Sequence, residues 1–395
     1  MIDADALIIG GGPVGLVMAA RMRQLGLSVI LCEAARDLSD DLRASTFHPP
    51  TLDMLATLGF SEPLIAEGLI SPTWQVRMHE TGEKAEFDLG LLKGETGHPY
   101  RLQCEQFRLC RIAASRLAAD GTDIRMGARA IAAHDDGDRI KATIEDANGV
   151  YELSARYLVG ADGARSFVRS LIDPDFGGLT YPETTILATT QFPFERAIEG
   201  LSNVNYIWWR GGTFSLLRLR HLWRCSLYPD DGETIEAAMT PESIERKLQR
   251  IHPRVASYET GEVRQYRVHM RIASSYRCGR VVLAGDAAHL NSPSGGMGMN
   301  GGIHDAFALA AALRRTLDGD DEALDRYAAV RRRIAEEEIL AQADRNRARM
   351  QERDPARRQA MFRALQRTAA EPTLARAHLL KTSMIEGLRR AEAML

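Results

Sequence analysis

The 395-residue chain is 45% hydrophobic and 26% charged, with a formal net charge of −3, the balance of a soluble globular protein large enough for two or three structural units. That balance excludes a dedicated nucleic-acid binder and an acidic disordered chain, and no apolar run approaches the ~18 residues of a membrane span. Its five cysteines include no C-x-x-C pair, so free thiols in a reducing cytoplasm are expected, with no metal site.

The first apolar run, Ala6–Ile9, reads as a buried strand. Gly10-Gly11-Gly12-Pro13-Val14-Gly15 follows at once, then a helical pattern over Leu16–Leu25 that Gly26 ends, then a second strand, Ser28–Cys32, running into Glu33. The glycines therefore stand at the strand-to-helix turn of a βαβ unit. Gly10 permits the tight turn, Gly12 lets a pyrophosphate approach the backbone, and Gly15 lets helix and strand pack closely. The helix N-terminus opened by Pro13 and Val14 offers unpaired N–H groups to phosphate, and Glu33 suits the hydroxyls of an adenosine ribose. Both NAD and FAD fit this unit.

Arg156–Gly160 reads as another buried strand, ending at Asp162-Gly163, which suits either a nucleotide edge or a turn before a capped helix. From Thr180 to Arg271 the pattern alternates, as expected for antiparallel strands with one buried face. Six of the 25 aromatics fall between Tyr206 and Tyr228, including Trp208, Trp209 and Trp223. An amphipathic helix is expected over Ala237–Ile251. Arg280–Ala284 forms a strand leading to Gly285-Asp286, followed by a glycine-rich loop, Pro293–Gly302, and a small-residue helix, Asp305–Leu317. Asp320–Arg367 is helical in pattern and charged; its Arg331-Arg332-Arg333 and Glu336-Glu337-Glu338 runs suit a solvated face with i,i+4 pairs. Pro355 separates two helices there, and the stripe Met361, Phe362, Leu365 suits packing on the main domain or a homodimer interface.

These three segments, in this order, resemble the FAD-dependent aromatic hydroxylases, single-component flavoprotein monooxygenases of the para-hydroxybenzoate hydroxylase type. The resemblance spans Ala6 to about Val330. It implies an α/β fold: a Rossmann-like FAD-binding domain (1–72, 98–179 and 272–318), an inserted antiparallel-sheet substrate domain (73–97 and 180–271) and a C-terminal helical region (319–395). It implies that Gly10, Gly12, Pro13, Val14, Gly15 and Glu33 hold the ADP half of FAD, that Asp162 supports FAD and nicotinamide binding, and that Asp286 meets the ribityl chain. Pro293, Gly298, Met299 and Asn300 would then lie against the isoalloxazine ring, Arg43 would contact the flavin, and Gln103 would stand beside the diphosphate.

The implied activity is hydroxylation of an activated aromatic or N-heteroaromatic ring through a flavin C4a-hydroperoxide, with O2 and with NADH or NADPH as cosubstrate. The acidic stretch Ala34–Leu42 would favour NADH by repelling a 2′-phosphate. Such chemistry needs an anchor and a proton path; the candidates are His48, Tyr206 and Arg220, with Arg218, Tyr228 and His289 behind them. A same-fold oxidoreductase without oxygen insertion (a quinone or double-bond reductase) and a flavin-binding regulatory protein are the alternatives.

Overall fold

A computed structural model describes residues 2–173 and 175–395. The apolar segments read from the sequence assemble two large sheets and one small one. The first sheet runs, in spatial order, Arg277–Cys278, Val281–Leu283, Gly149–Gly160, Ala4–Ile9, Val29–Glu33 and Asp123–Met126. Its four central pairings are parallel, and Leu7, Ile8, Leu31, Leu158, Val159 and Leu283 are fully buried. Near-continuous apolar runs are what a parallel sheet covered on both faces requires. The long strand Gly149–Gly160 also carries the antiparallel strands Ile140–Asp146 and Arg129–Asp135.

Helix Pro13–Gln24 packs against helices Gln106–Ala119 and Met297–Leu317. The latter begins eight residues before the expected start at Asp305. The glycine-rich loop ends at Gly296, whose φ of 67° turns the chain into the helix, and the small residues that follow pack tightly enough to be helical. The helix expected over Ala237–Ile251 instead begins later, at Pro241, after a separate short helix Ile235–Ala238, and Thr240 caps it by accepting the Ser243 N–H; proline is suited to the first helical turn.

The second sheet runs His289–Leu290, Thr260–Ile272, Gly178–Thr190, Trp223–Leu227, Gly212–Arg218, Val204–Trp209, Thr73–Met78 and Lys84–Asp88. It is antiparallel except where Val204–Trp209 lies parallel to Thr73–Met78. Alternation along Val204–Trp209 divides its side chains between two cores. Ile207 and Trp209 join the cluster under helix Pro241–Ile251, whereas Val204, Tyr206 and Trp208 face the C-terminal helices. Thr46–Phe47, Arg101–Gln103 and Leu69–Ser71 form a small third sheet.

The C-terminal region runs as helix Ala323–Ile334, a π-helical turn Ala335–Leu340, and helices Ala341–Gln351, Pro355–Ala370, Pro372–Thr382 and Ile385–Glu392. Phe362 is fully buried and, with Met361 and Leu365, packs against Trp74, Phe87 and Trp208. The apolar stripe is thus used within the chain, the first of its two expected uses. Arg332–Glu336 and Arg333–Glu337 form i,i+4 pairs at the surface. Arg331, by contrast, points inward and is 1% exposed.

Candidate active site

Glu33 contacts the glycine turn and Arg43 lies near Asp286; these residues border the groove that the family resemblance assigns to FAD. At its start, Gly10 has φ 112°, and a Cβ there would lie 2.4 Å from the Ala161 carbonyl oxygen. A Cβ on Gly15 would lie 2.0 Å from the Gly10 oxygen, whereas one on Gly12 would meet only open space. Helix Pro13–Gln24 has no side-chain cap and no acid in its first turn, so its N–H groups and positive dipole end face the groove unanswered. Glu33 accepts the Gly11 N–H (2.6 Å) and the Ala35 N–H (2.8 Å) through separate oxygens. Val14 is packed between Gly285 and Gly302, so its side chain serves the fold and its backbone faces the groove.

The Gly285-Asp286 turn is held from beneath by a buried ionic network. Asp305 Oδ2 accepts the Gly285 N–H (3.0 Å) and pairs with His289 Nε2 (2.9 Å), while its Oδ1 accepts Arg331 Nε–H (2.6 Å). All three side chains are essentially inaccessible. Tyr327 adds a hydrogen bond to the Leu283 carbonyl (2.8 Å). His289 is therefore a structural partner of Asp305. Asp286 itself remains open to the groove while set among protein atoms; that setting raises its carboxyl pKa, with Arg43 nearby pulling it back.

Asp162 accepts the Ser166 hydroxyl and the Val168 N–H, so its carboxylate braces Ser166, which caps the short helix Phe167–Ser170 by accepting the Arg169 N–H. Gln103 is fully buried; its Oε1 accepts the Thr46 hydroxyl (3.1 Å) and its Nε2 has no protein partner. Arg43 is exposed in the groove. Its segment is pinned to the second sheet by buried Arg224, which donates to Ser45 Oγ and to the Leu42 and Arg43 carbonyls.

Across the groove, helix Met297–Leu317 also starts without a side-chain cap or an acid, so Gly298 and Met299 present free N–H groups beside exposed Pro293. Asn300, expected against the flavin ring, has its side-chain amide engaged by protein. Its Oδ1 accepts the His48 N–H (2.9 Å) and its Nδ2 donates to the Thr46 and Gly296 carbonyls, so the whole amide latches the loop to the small sheet. FAD fits this groove: a phosphate-length stretch of bare glycine backbone, two uncapped helix N-termini and the orphaned Gln103 amide supply the donors that its anionic and flat portions require.

Beyond the loop lies a partly open chamber walled by Trp74, Val76, Arg101, Tyr206, Ser294, Gly295, Asn346, Arg349, Met350 and Thr382. Tyr206 therefore faces the chamber, as expected for a substrate-side residue. Arg220 does not: it is exposed at the end of its strand and donates to the Ala66 carbonyl. Arg218 pairs with Glu195 (3.0 Å), and Tyr228 lines a separate cleft on the other side of Met350.

The arginines that do reach the chamber, Arg101 and Arg349, come from segments with no alternating or glycine-rich signal. Arg101 is 3% exposed, its Nε and Nη1 are buried without a partner, and its guanidinium stands 5.1 Å from the Trp74 ring. Arg349 donates to Asn346 Oδ1 (3.2 Å), and its carbonyl accepts the Trp208 indole N–H (3.1 Å). Burial lowers the pKa of both guanidinium groups, yet an arginine keeps its charge.

His48 is also corrected as a proton-transfer candidate. It is fully buried, and its Nε2 bonds the Gly295 carbonyl (2.9 Å). Burial, helped by Arg101, pushes its pKa down to about 3, so it stays neutral and holds the loop. Burial likewise pushes His304, paired with Thr51 (3.0 Å), down to about 3. Because both bind a proton in the unfolded chain near the ordinary 6.5 but not in the folded one, stability falls as pH drops below about 6.5 and continues to fall toward 3. Each histidine is expected to remove about 1.4 kcal/mol per pH unit in that window. Urea unfolding at stepped pH checks this; a midpoint unchanged between about pH 7 and about pH 5 contradicts it.

A family model described as "FAD binding domain" matches residues 3–342. The chain is 32% identical to 6-hydroxy-3-succinoylpyridine 3-monooxygenase of Pseudomonas putida, over 86% of this chain and 87% of that protein. It is 32% identical to para-nitrophenol 4-monooxygenase of a Pseudomonas species, over 98% of each chain. Among solved structures, p-nitrophenol 4-monooxygenase of Pseudomonas putida superposes with a TM-score of 0.90 at 28% identity, covering 98% of each chain. No helix among the described residues is long and apolar enough to cross a membrane. With its glycine-lined groove, its two uncapped helix ends and these relatives, the chain belongs to the FAD-binding family of flavoprotein aromatic monooxygenases.

Proposed function

We propose that the protein hydroxylates a small phenol or hydroxypyridine, with NADH or NADPH as the electron donor. The observation that carries this reading is the chamber set directly beyond the Ser294-Gly295 loop, whose Trp74, Val76 and Tyr206 walls are of the apolar and aromatic kind that pack against a flat ring. The relatives that match at 32% identity act, by their names, on a hydroxypyridine and a nitrophenol. This favours oxygen insertion over the reductase and regulatory alternatives.

Bound FAD supplies electron transfer from the nicotinamide and activation of dioxygen. The chain's residues place and enclose the ring. Trp74 and Val76 exclude water from one face, Gly295 lets the ring approach the flavin side without a side chain between them, and Tyr206 offers a hydroxyl beside Arg101. His48 and Asn300 hold the loop that forms the floor. Asp40 and Asp41 are paired with Arg111 and Arg264. This pairing neutralises much of the repulsion expected toward a 2′-phosphate, so both nicotinamides are retained in the reading.

The test is a panel of phenols and hydroxypyridines scored by stimulated NADH and NADPH oxidation and by product mass. A stimulating compound whose product gains one oxygen atom is the expected result. Stimulated oxidation that yields only peroxide with every compound, or no stimulation at all, overturns the reading.

A further inference from the structure

Resting on that reading, the ring compound needs a way into the chamber while FAD fills the groove, and the product needs a way out. We propose that both pass through the second cleft, the one lined by Tyr228, and that the Met350 side chain is the gate between cleft and chamber.

Three observations carry this. The first is adjacency. Among the described residues, Met350 alone walls both spaces. Cleft and chamber also share a face of the second sheet. Register sets Tyr206 opposite Ser215 and, two residues on, Trp208 opposite Thr213, so Tyr206 of the chamber and Thr213 of the cleft point the same way. Met350 reaches Thr213 from the last turn of helix Ala341–Gln351 and is 6% exposed. The second observation is how Met350 is held. Its sulfur stands 3.7 Å from the Thr213 hydroxyl, whose single proton already goes to the Ile207 carbonyl (2.9 Å), and a thioether is a weak acceptor. Packing alone therefore sets its rotamer, and an unbranched methionine chain readily adopts another. The helix ends one residue later, and Glu352 turns extended at ψ 126°.

The third is a contrast between the two linings. The chamber keeps buried donors without a protein partner, on Trp74 Nε1 and Arg101, so a polar ring can stop there. In the cleft, no buried side-chain nitrogen or oxygen of the described lining residues is left unpartnered. Arg250 pairs with Asp230 (2.7 Å), Lys247 with Glu233, and Arg353 with Asp231 (2.6 Å). Arg358 donates to the Trp209 carbonyl (2.6 Å). What remains for a visitor is the apolar and aromatic surface of Trp209, Phe214 and Leu227. Such a lining accepts a flat ring but offers it no unmade hydrogen bond, so the ring does not stay. A passage requires that difference: a surface without polar traps that leads to one with them.

The experiment is rapid mixing of the FAD-loaded, oxidised protein with 4-nitrophenol and, separately, with 3-hydroxypyridine, reading association and dissociation rates from flavin fluorescence. A plug is placed in the cleft but outside the chamber. Gln351 lines only the cleft, and Cys278 is the one exposed cysteine. Gln351→Cys is therefore made together with Cys278→Ser, modified with a bulky aromatic methanethiosulfonate, and later released with dithiothreitol. The plug is expected to slow association and dissociation together, each by at least ~10-fold, and to keep Kd within about 3-fold, because a gate acts equally on both directions of one path. Dithiothreitol is expected to restore both rates. Met350→Ala, which removes the gate, is expected to speed both. Unchanged rates with the plug in place, or a plug that moves one rate without the other, overturn the proposal and leave the hydroxylase reading standing. Failure of both probes to bind the unplugged protein removes both. Modified and released protein are the same chain, so the comparison does not depend on how well a second variant folds.

Discussion

Asp305→Ala is expected to cost about 3–5 kcal/mol of stability and to weaken FAD binding. Both members of the Asp305–Arg331 pair are out of contact with solvent, so removing the carboxylate leaves a guanidinium in the interior with one remaining carbonyl contact, to Gly301. The same change deprives the Gly285 N–H and His289 of their acceptor, and these groups fix the turn that presents Asp286. Burial raises the Asp305 carboxyl, but Arg331 and His289 outweigh it and hold it down to about 2. Its folded pKa lies below its ordinary 3.8, so the stabilisation is present above about pH 4 and is lost as pH falls toward 2. Replacing both partners, Asp305→Leu with Arg331→Met, is expected to be less harmful than the single alanine change, because no charge is stranded. Urea unfolding of the three variants, with FAD affinity measured by flavin fluorescence, checks the cycle. A loss under about 1 kcal/mol in Asp305→Ala would show that the pair is not what holds the turn.

Gly10→Ala is expected to abolish FAD retention. The added methyl would sit 2.4 Å from the Ala161 oxygen and 2.6 Å from its carbonyl carbon, both backbone atoms, at a φ of 112° that a side chain rarely adopts. Backbone strain of about 1–3 kcal/mol and overpacking of about 1–3 kcal/mol both fall on the turn that must receive the pyrophosphate. Together they correspond to roughly a 30-fold or greater loss of affinity. The variant is expected to purify colourless and to regain little flavin on dialysis against excess FAD. Gly12→Ala is a useful contrast: its Cβ meets no protein atom, so the protein should fold normally, with any loss confined to FAD binding. A yellow Gly10→Ala protein with wild-type FAD affinity would contradict this account of the turn.

The flavin side of the molecule was legible because its constraints are local. A buried strand, a glycine turn and a helix start are consecutive in the chain, so Gly10, Gly12, Gly15 and Glu33 announce one another. The strand leading to Gly285-Asp286 reads the same way. The substrate side was only partly legible. Alternation gave the strands around Tyr206 and Trp208, but it could not say which face met a cavity. Arg101 and Arg349 lie 248 residues apart, one in a three-residue strand and the other in a charged helix. Only tertiary packing brings them to Tyr206. Arg220 was attractive because its segment reads as part of the right sheet; two residues past the end of strand Gly212–Arg218, it faces solvent instead. Asp162 and Asn300 stand in the expected segments but spend their side chains on capping and latching, which residue type alone does not reveal. Arg331 belonged to a run that reads as surface charge, and its burial depends on Asp305 from another helix.

The chamber's far wall is contributed by a stretch of chain that follows the FAD-binding segments. Arg349, Met350 and Thr382 follow every residue of the FAD groove in sequence, and the Trp208–Arg349 and Trp209–Arg358 hydrogen bonds fasten their helices to the second sheet. During synthesis the nucleotide-binding half can therefore be complete while the substrate compartment is still open on one side. The same division separates two evolutionary pressures. Substitutions in these helices would therefore change the chamber wall without touching the glycine turn, Glu33 or the Gly285-Asp286 turn.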